Sequence, residues 1–199
     1  ITMVYCLENA NYFILKAYEE GREATMTNMK VQKLLYYSQS LHLALFDSLL
    51  FSEPIQAWRY GPVCPPAYHF YSQFEAEQLP IPQKDVVLKS FTEEIQLVLE
   101  EVWDYFGIHH AYTLSDMTHL EFPWKKARQG LPATAASRAE ILPEDLKLLG
   151  KQKLDEIEQA HPAYSLILSQ ALVEAAQPNP EPQYLEAEDI HDWIATLLT

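Results

Sequence analysis

The stretch MTNMKVQKLLYYSQSLHLALF, residues 26–46, governs how the rest of this sequence is read. Val31, Leu34, Leu35, Ser38, Leu41, His42 and Leu45 recur at steps of three and four, which stacks their side chains on one helical face. Thr27 or Asn28 is placed to cap the first turn. The spacing predicts a helix at the centre of the core. On its other side, Lys30, Lys33 and Tyr37 read as a solvated polar face where an acidic ligand could meet two ammonium groups.

Working outward, residues 5–19 carry Leu7, Ala10, Ile14 and Ala17 on a helical repeat that stops at Glu20-Gly21. After the central helix the rhythm changes: LLFSEPIQAWR, residues 49–59, has two short apolar or aromatic runs, as in short extended pieces or a small hairpin. In WRYGPVCPP, residues 58–66, Gly61-Pro62 redirects the chain, with Trp58 and Tyr60 expected to fill a small core. Pro65-Pro66 suits the first turn of an aromatic-rich helix, where a missing N–H costs nothing. That helix runs to the Pro80/Pro82 loop.

Between Ser90 and Phe106 a further stripe (Phe91, Ile95, Val98, Leu99, Val102, Phe106) predicts a helix capped by Ser90 or Thr92 and stopped by Gly107. Shorter helices are expected around YTLSDMTHL and PWKKAR, then a connector over 129–142, then a helix opened by Pro143 and interrupted at His161-Pro162. The tail offers a helix at YSLILSQALVEAA, a proline-spaced linker near 177–183, and a terminal helix at EAEDIHDWIATLL. There Ile190, Trp193, Ile194, Leu197 and Leu198 form a narrow apolar stripe opposite Glu186, Asp189 and Asp192. The stripe either folds back on the core or is offered to a partner. The expected fold is mainly α (α+β). A compact helical domain with a small β-hairpin or short sheet spans 4–140, and an acidic helical extension spans 141–199.

Composition agrees with a folded chain: 199 residues, 48% hydrophobic and only five Gly suit one buried core with an appendage. The formal charge is −14, and the acid is concentrated late, with 12 acidic against 3 basic residues from Glu140 onward. Phosphate binding requires a basic surface, so direct DNA binding is disfavoured and a basic or apolar protein partner is expected. No apolar run approaches the roughly 20 residues that span a bilayer, and the first residues lack a basic-then-apolar leader pattern. Cys6 and Cys64 have no close-spaced companion and read as reduced thiols of a cytoplasmic protein.

Catalytic readings are weak. Cys64, with His69 five residues on and Arg59 nearby, has the residue types of an activated nucleophile, but a buried structural cysteine is the commoner role. His109, His110, His119 and Glu121 do not match a metal-ligand spacing, since adjacent histidines on a helix point apart. Phosphate loop and nucleophile elbow are both missing from the sequence. The expectation is a non-enzymatic protein without metal or cofactor. Of Trp58, Trp103, Trp124 and Trp193, only Trp193 is placed for an interface.

Taken together, three motifs resemble the Panacea domain, also called the SocA-like antitoxin domain, over roughly residues 5 to 130. Lys30, Gln32, Lys33, Leu34, Tyr36 and Tyr37 match the first motif. Ala57, Trp58, Gly61, Pro62 and Val63 match the second, and Leu114, Ser115, Thr118, His119, Pro123 and Trp124 the third. The resemblance implies a type II antitoxin that neutralises a cognate protein toxin, encoded next to it, by direct binding. Members are paired with very different toxins, so the domain does not identify the toxin. Ile190, Trp193, Ile194 and Leu197 are the candidate toxin-binding residues, in a helix-in-groove contact. The alternatives are an adaptor that delivers a partner to an ATP-dependent protease, or a small hydrolase or metal enzyme using His119, Glu121 or Cys64.

Overall fold

A computed structural model describes residues 5–75 and 77–160, together with Val173. It is mainly helical with one small antiparallel sheet, as the sequence predicts. The order is α1 (Cys6–Glu19), α2 (Asn28–Phe46), β1 (Gln56–Trp58), β2 (Gly61–Val63), α3 (Pro65–Ser72), α4 (Lys84–Lys89), α5 (Glu93–Phe106), α6 (Ala111–Leu120), α7 (Phe122–Ala127) and α8 (Pro143–Ala160). A short 3-10 turn, Glu23–Thr25, leads into α2.

Helix α2 is the axis of the fold. The Thr27 hydroxyl accepts from the Lys30 N–H at 3.2 Å, and Asp47 closes the helix in a left-handed conformation with φ 55°. Every residue from Lys30 to Leu43 is buried, because α1, α3, α5, α6, α8 and β2 all pack around it. The one-faced amphipathic reading therefore fails here: a helix enclosed on all sides needs no polar stripe, and its polar side chains must find partners inside. Tyr37 stacks on Phe106 with ring centroids 3.8 Å apart, joining α2 to α5.

The sheet differs in detail from the expectation. The reversal is made by Arg59-Tyr60, and Gly61-Pro62 begins the returning strand, with Trp58 opposite Gly61 and Ala57 opposite Pro62. Pro62 is tolerated because β2 is the edge strand. The outer side of β1 is covered: Ala57 donates to the Ala139 carbonyl and Ile141 to that of Ile55, both at 2.8 Å. Helix α4, inside what the sequence reads as a loop, is a single short helix that buries Val87.

Helix α8 runs against α2 at very short range. A methyl group at Gly150 would overlap the Ser40 carbonyl and crowd the Ala44 side chain. Ion pairs join the same two regions and their neighbours, Lys147 to Asp47 at 2.5 Å and Lys126 to Asp145 at 2.7 Å. The tail residues Ile190, Trp193, Ile194 and Leu197 and the linker near 177–183 lie outside the described residues. Gly150→Ala is expected to destabilise the protein by about 1–3 kcal/mol through overpacking, although alanine is the better helix former by roughly 1 kcal/mol; urea denaturation reads the sign directly.

Candidate functional site

The three sequence motifs converge on the hairpin. Its backbone carbonyls are taken one after another by side chains from helices. Arg128 donates to Ala57 O at 3.2 Å, Trp124 Nε1 to Trp58 O at 2.8 Å, and His119 Nε2 lies 2.9 Å from Arg59 O. Lys33 Nζ donates to Tyr60 O at 2.6 Å and Pro62 O at 3.1 Å, and Ser115 Oγ also reaches Tyr60 O at 3.2 Å. On the returning side, Cys64 N–H donates to Gln32 Oε1 at 2.9 Å. A two-stranded ribbon this short is marginal alone; here its polar groups are satisfied by the surrounding helices.

Lys33 is the centre of this clamp. It is 1% exposed, and its hydrogen bonds go to backbone carbonyls rather than carboxylates. Burial pushes the ammonium from its ordinary 10.5 down to about 7. Gly61 lies directly over it: φ is +97°, and a Cβ there would come within 2.6 Å of Lys33 Nζ and 2.7 Å of Thr118 Oγ1. Glycine is needed both for the backbone conformation and for the space. Thr118 itself is fully buried and donates to Ser115 O at 2.8 Å.

The rest of the first motif is also turned inward, correcting the solvated reading of Lys30, Lys33 and Tyr37. Lys30 Nζ donates to Gly107 O at 2.6 Å, meeting the negative end of α5, and burial lowers it to about 8. Tyr37 donates to Glu121 Oε1 at 3.0 Å, and Lys153 of α8 pairs with the same oxygen at 3.2 Å. Burial raises the Glu121 carboxyl above its ordinary value despite that lysine. Leu34 and Tyr36 are core residues with no exposed surface. Pro123 sits in the first turn of α7, which leaves Trp124 buried against the His119 ring at 4.5 Å.

Arg128 is the residue that motif reasoning passed over. It is 1% exposed, bonds Ala57, Pro132 and Ala135 carbonyls, and lies 4.6 Å over the Trp124 ring. It thereby pins the connector after α7 to β1. The available signal was an arginine closing a motif whose neighbouring tryptophan was already singled out.

The nucleophile reading does not assemble. Cys64 is 1% exposed and its thiol meets that of Cys6, which is fully buried; this contact and burial raise the Cys6 thiol. The two cysteines, far apart in sequence, are thus neighbours and both free. His69 is exposed, its ring 6.1 Å from that of Trp58. His110 caps α6, and among the described residues no three His, Cys, Asp or Glu side chains gather to hold a metal. No described helix is long and apolar enough to cross a membrane. Trp58 is only half-buried and Tyr60 is 60% exposed, so they do not fill a core. Trp58 and Tyr68 instead stand edge to face at 4.9 Å, beside a cavity of about 410 Å³ under the hairpin.

Residues 31–125 match the family model described as antitoxin SocA-like, Panacea domain. The matched segment is shorter than the 5 to 130 of the sequence resemblance, and helix α1 lies outside it. No curated protein and no solved structure matches the chain.

Because the unfolded chain holds the Lys33 proton up to about 10.5 and the folded chain releases it near 7, Lys33 contributes a stability that rises with pH between those values and is flat below them. Urea midpoints measured from pH 6.5 to 9.5 are expected to climb more steeply in the wild type than in Lys33→Met. Parallel curves would show that Lys33 is not buried as a depressed amine.

Proposed function

We propose, for a chain that carries a Panacea, SocA-like antitoxin domain over residues 31–125, that it is the antitoxin of a type II pair and neutralises a protein toxin by direct binding. An antitoxin-type domain implies a protein partner. What supports the reading in the geometry is the direction of the motif side chains: Gln32, Lys33, Ser115, His119 and Trp124 all point into the clamp on the hairpin. A scaffold that directs its motif residues inward leaves partner choice to the residues outside the motifs. This suits a domain that serves unlike toxins.

The partner-specific element in this reading is the acidic end of the chain. From Glu140 onward it carries 12 acidic and 3 basic residues, and Ile190, Trp193, Ile194 and Leu197 repeat at helical spacing. Such a segment fits a toxin with basic residues around an apolar groove, where charge guides the encounter and the apolar stripe supplies the affinity.

Co-expression with the product of the adjacent open reading frame tests both levels. Rescue of growth and recovery of a stable complex are expected with the full chain. Truncation of residues 178–199 is expected to abolish rescue, and Trp193→Ala to weaken the complex at least tenfold. A harmless neighbour that does not bind would overturn the antitoxin reading; full rescue by the truncated chain would overturn the tail as the contact.

A further inference from the structure

The cavity beneath the hairpin is not explained by neutralisation of a toxin. It measures about 410 Å³ and is bounded by α2, the hairpin, α3 and the connector before α8. That size falls within the roughly 300–1,000 Å³ typical of small-molecule sites. Its lining combines aromatic surface from Trp58, Tyr60 and Tyr68 with three basic side chains, Lys33, Arg59 and Arg138. No Asp or Glu lines it, in a chain whose formal charge is −14. A local excess of positive charge stands out against that background, since the net charge of the chain repels anions.

The geometry points to a binding site for a compact organic anion with a planar ring, of the size and chemistry of a nucleoside monophosphate. The ring would lie against the Trp58 and Tyr68 walls, and the phosphate would meet the guanidinium forks of Arg59 and Arg138, which match an oxyanion bidentately. Both arginines are exposed and neither forms an ion pair among the described residues, although the Arg59 guanidinium lies 5.1 Å over the Tyr60 ring. Lys33 lies in the cavity wall with its Nζ bonded to the hairpin carbonyls, so the standing charge of the site is that of the two arginines.

A peptide strand fits less well. The outer edge of β1 is already paired with residues 139–141, the Pro62 carbonyl of β2 is taken by Lys33, and just after β2 the Cys64 N–H is held by Gln32. Addition of a strand to this sheet is therefore closed, and the cavity has to be filled by side chains or by a small molecule.

Titration of the full chain with AMP and GMP, with adenosine as the uncharged comparison and an Asp- and Trp-bearing peptide as the protein-like one, tests this by calorimetry and Trp fluorescence. Saturable binding of at least one nucleotide is expected, with adenosine at least tenfold weaker. The double variant Arg59→Ala/Arg138→Ala is expected to lose at least tenfold in affinity while its thermal midpoint is unchanged, because both side chains are exposed. Trp58→Phe should reduce the fluorescence response and leave calorimetric binding in place. Absence of saturation at millimolar nucleotide, equal binding of adenosine, an unaffected double variant, or binding of the acidic peptide in place of nucleotide would each overturn the proposal.

Discussion

The hydrogen bonds from Lys33 Nζ to the carbonyls of Tyr60 and Pro62 place a cation in the interior with dipoles rather than a carboxylate around it. An isolated buried charge is among the costlier arrangements available to a protein. It is tolerated here because the amine gives up its proton near neutrality and because the buried Pro62 carbonyl takes its hydrogen bond from it. The glycine above it, the serine and threonine of α6 beside it, and the helix that carries it are all constrained by that one nitrogen.

The same pattern extends along α2. Gln39 accepts from Leu50 N–H and donates to Phe51 O, both at 2.9 Å, holding the segment after the helix. Gln32 holds the start of α3, and Lys30 holds the end of α5. These polar side chains of the central helix thus replace backbone partners that short, irregular segments cannot find in a ladder of their own. Apolar packing makes the bundle compact, while these bonds fix where its loops lie.

Much of this was legible in the sequence. The bounds of α2 and α5, the proline starts of α3, α7 and α8, and the presence of a small β element followed from periodicity and capping chemistry. The burial of Lys30 and Lys33 did not, because a three-residue step of lysines looks the same on a solvated face as on an enclosed one. One clue was on the page: residues 26–46 contain no Asp or Glu, although the chain has 28, so these lysines lacked the neighbours that exposed helical lysines usually keep. The exchange of the turn from Gly61-Pro62 to Arg59-Tyr60 was hidden for another reason. The hairpin is held by side chains distant in sequence, so its turn does not need the residues that favour reversal locally.

Glu121 ties the α6–α7 junction to Tyr37 on one side and to Lys153 of α8 on the other. On the ribosome this carboxylate and the tyrosine are made well before their lysine. A nascent chain that ends short of α8 leaves the Ser40 side of α2 uncovered and Glu121 with one partner fewer. Closure of the core therefore waits until α8 has been synthesised and has left the exit tunnel. The core around α2 is thus sealed from the C-terminal side, by a helix made after every element it closes over.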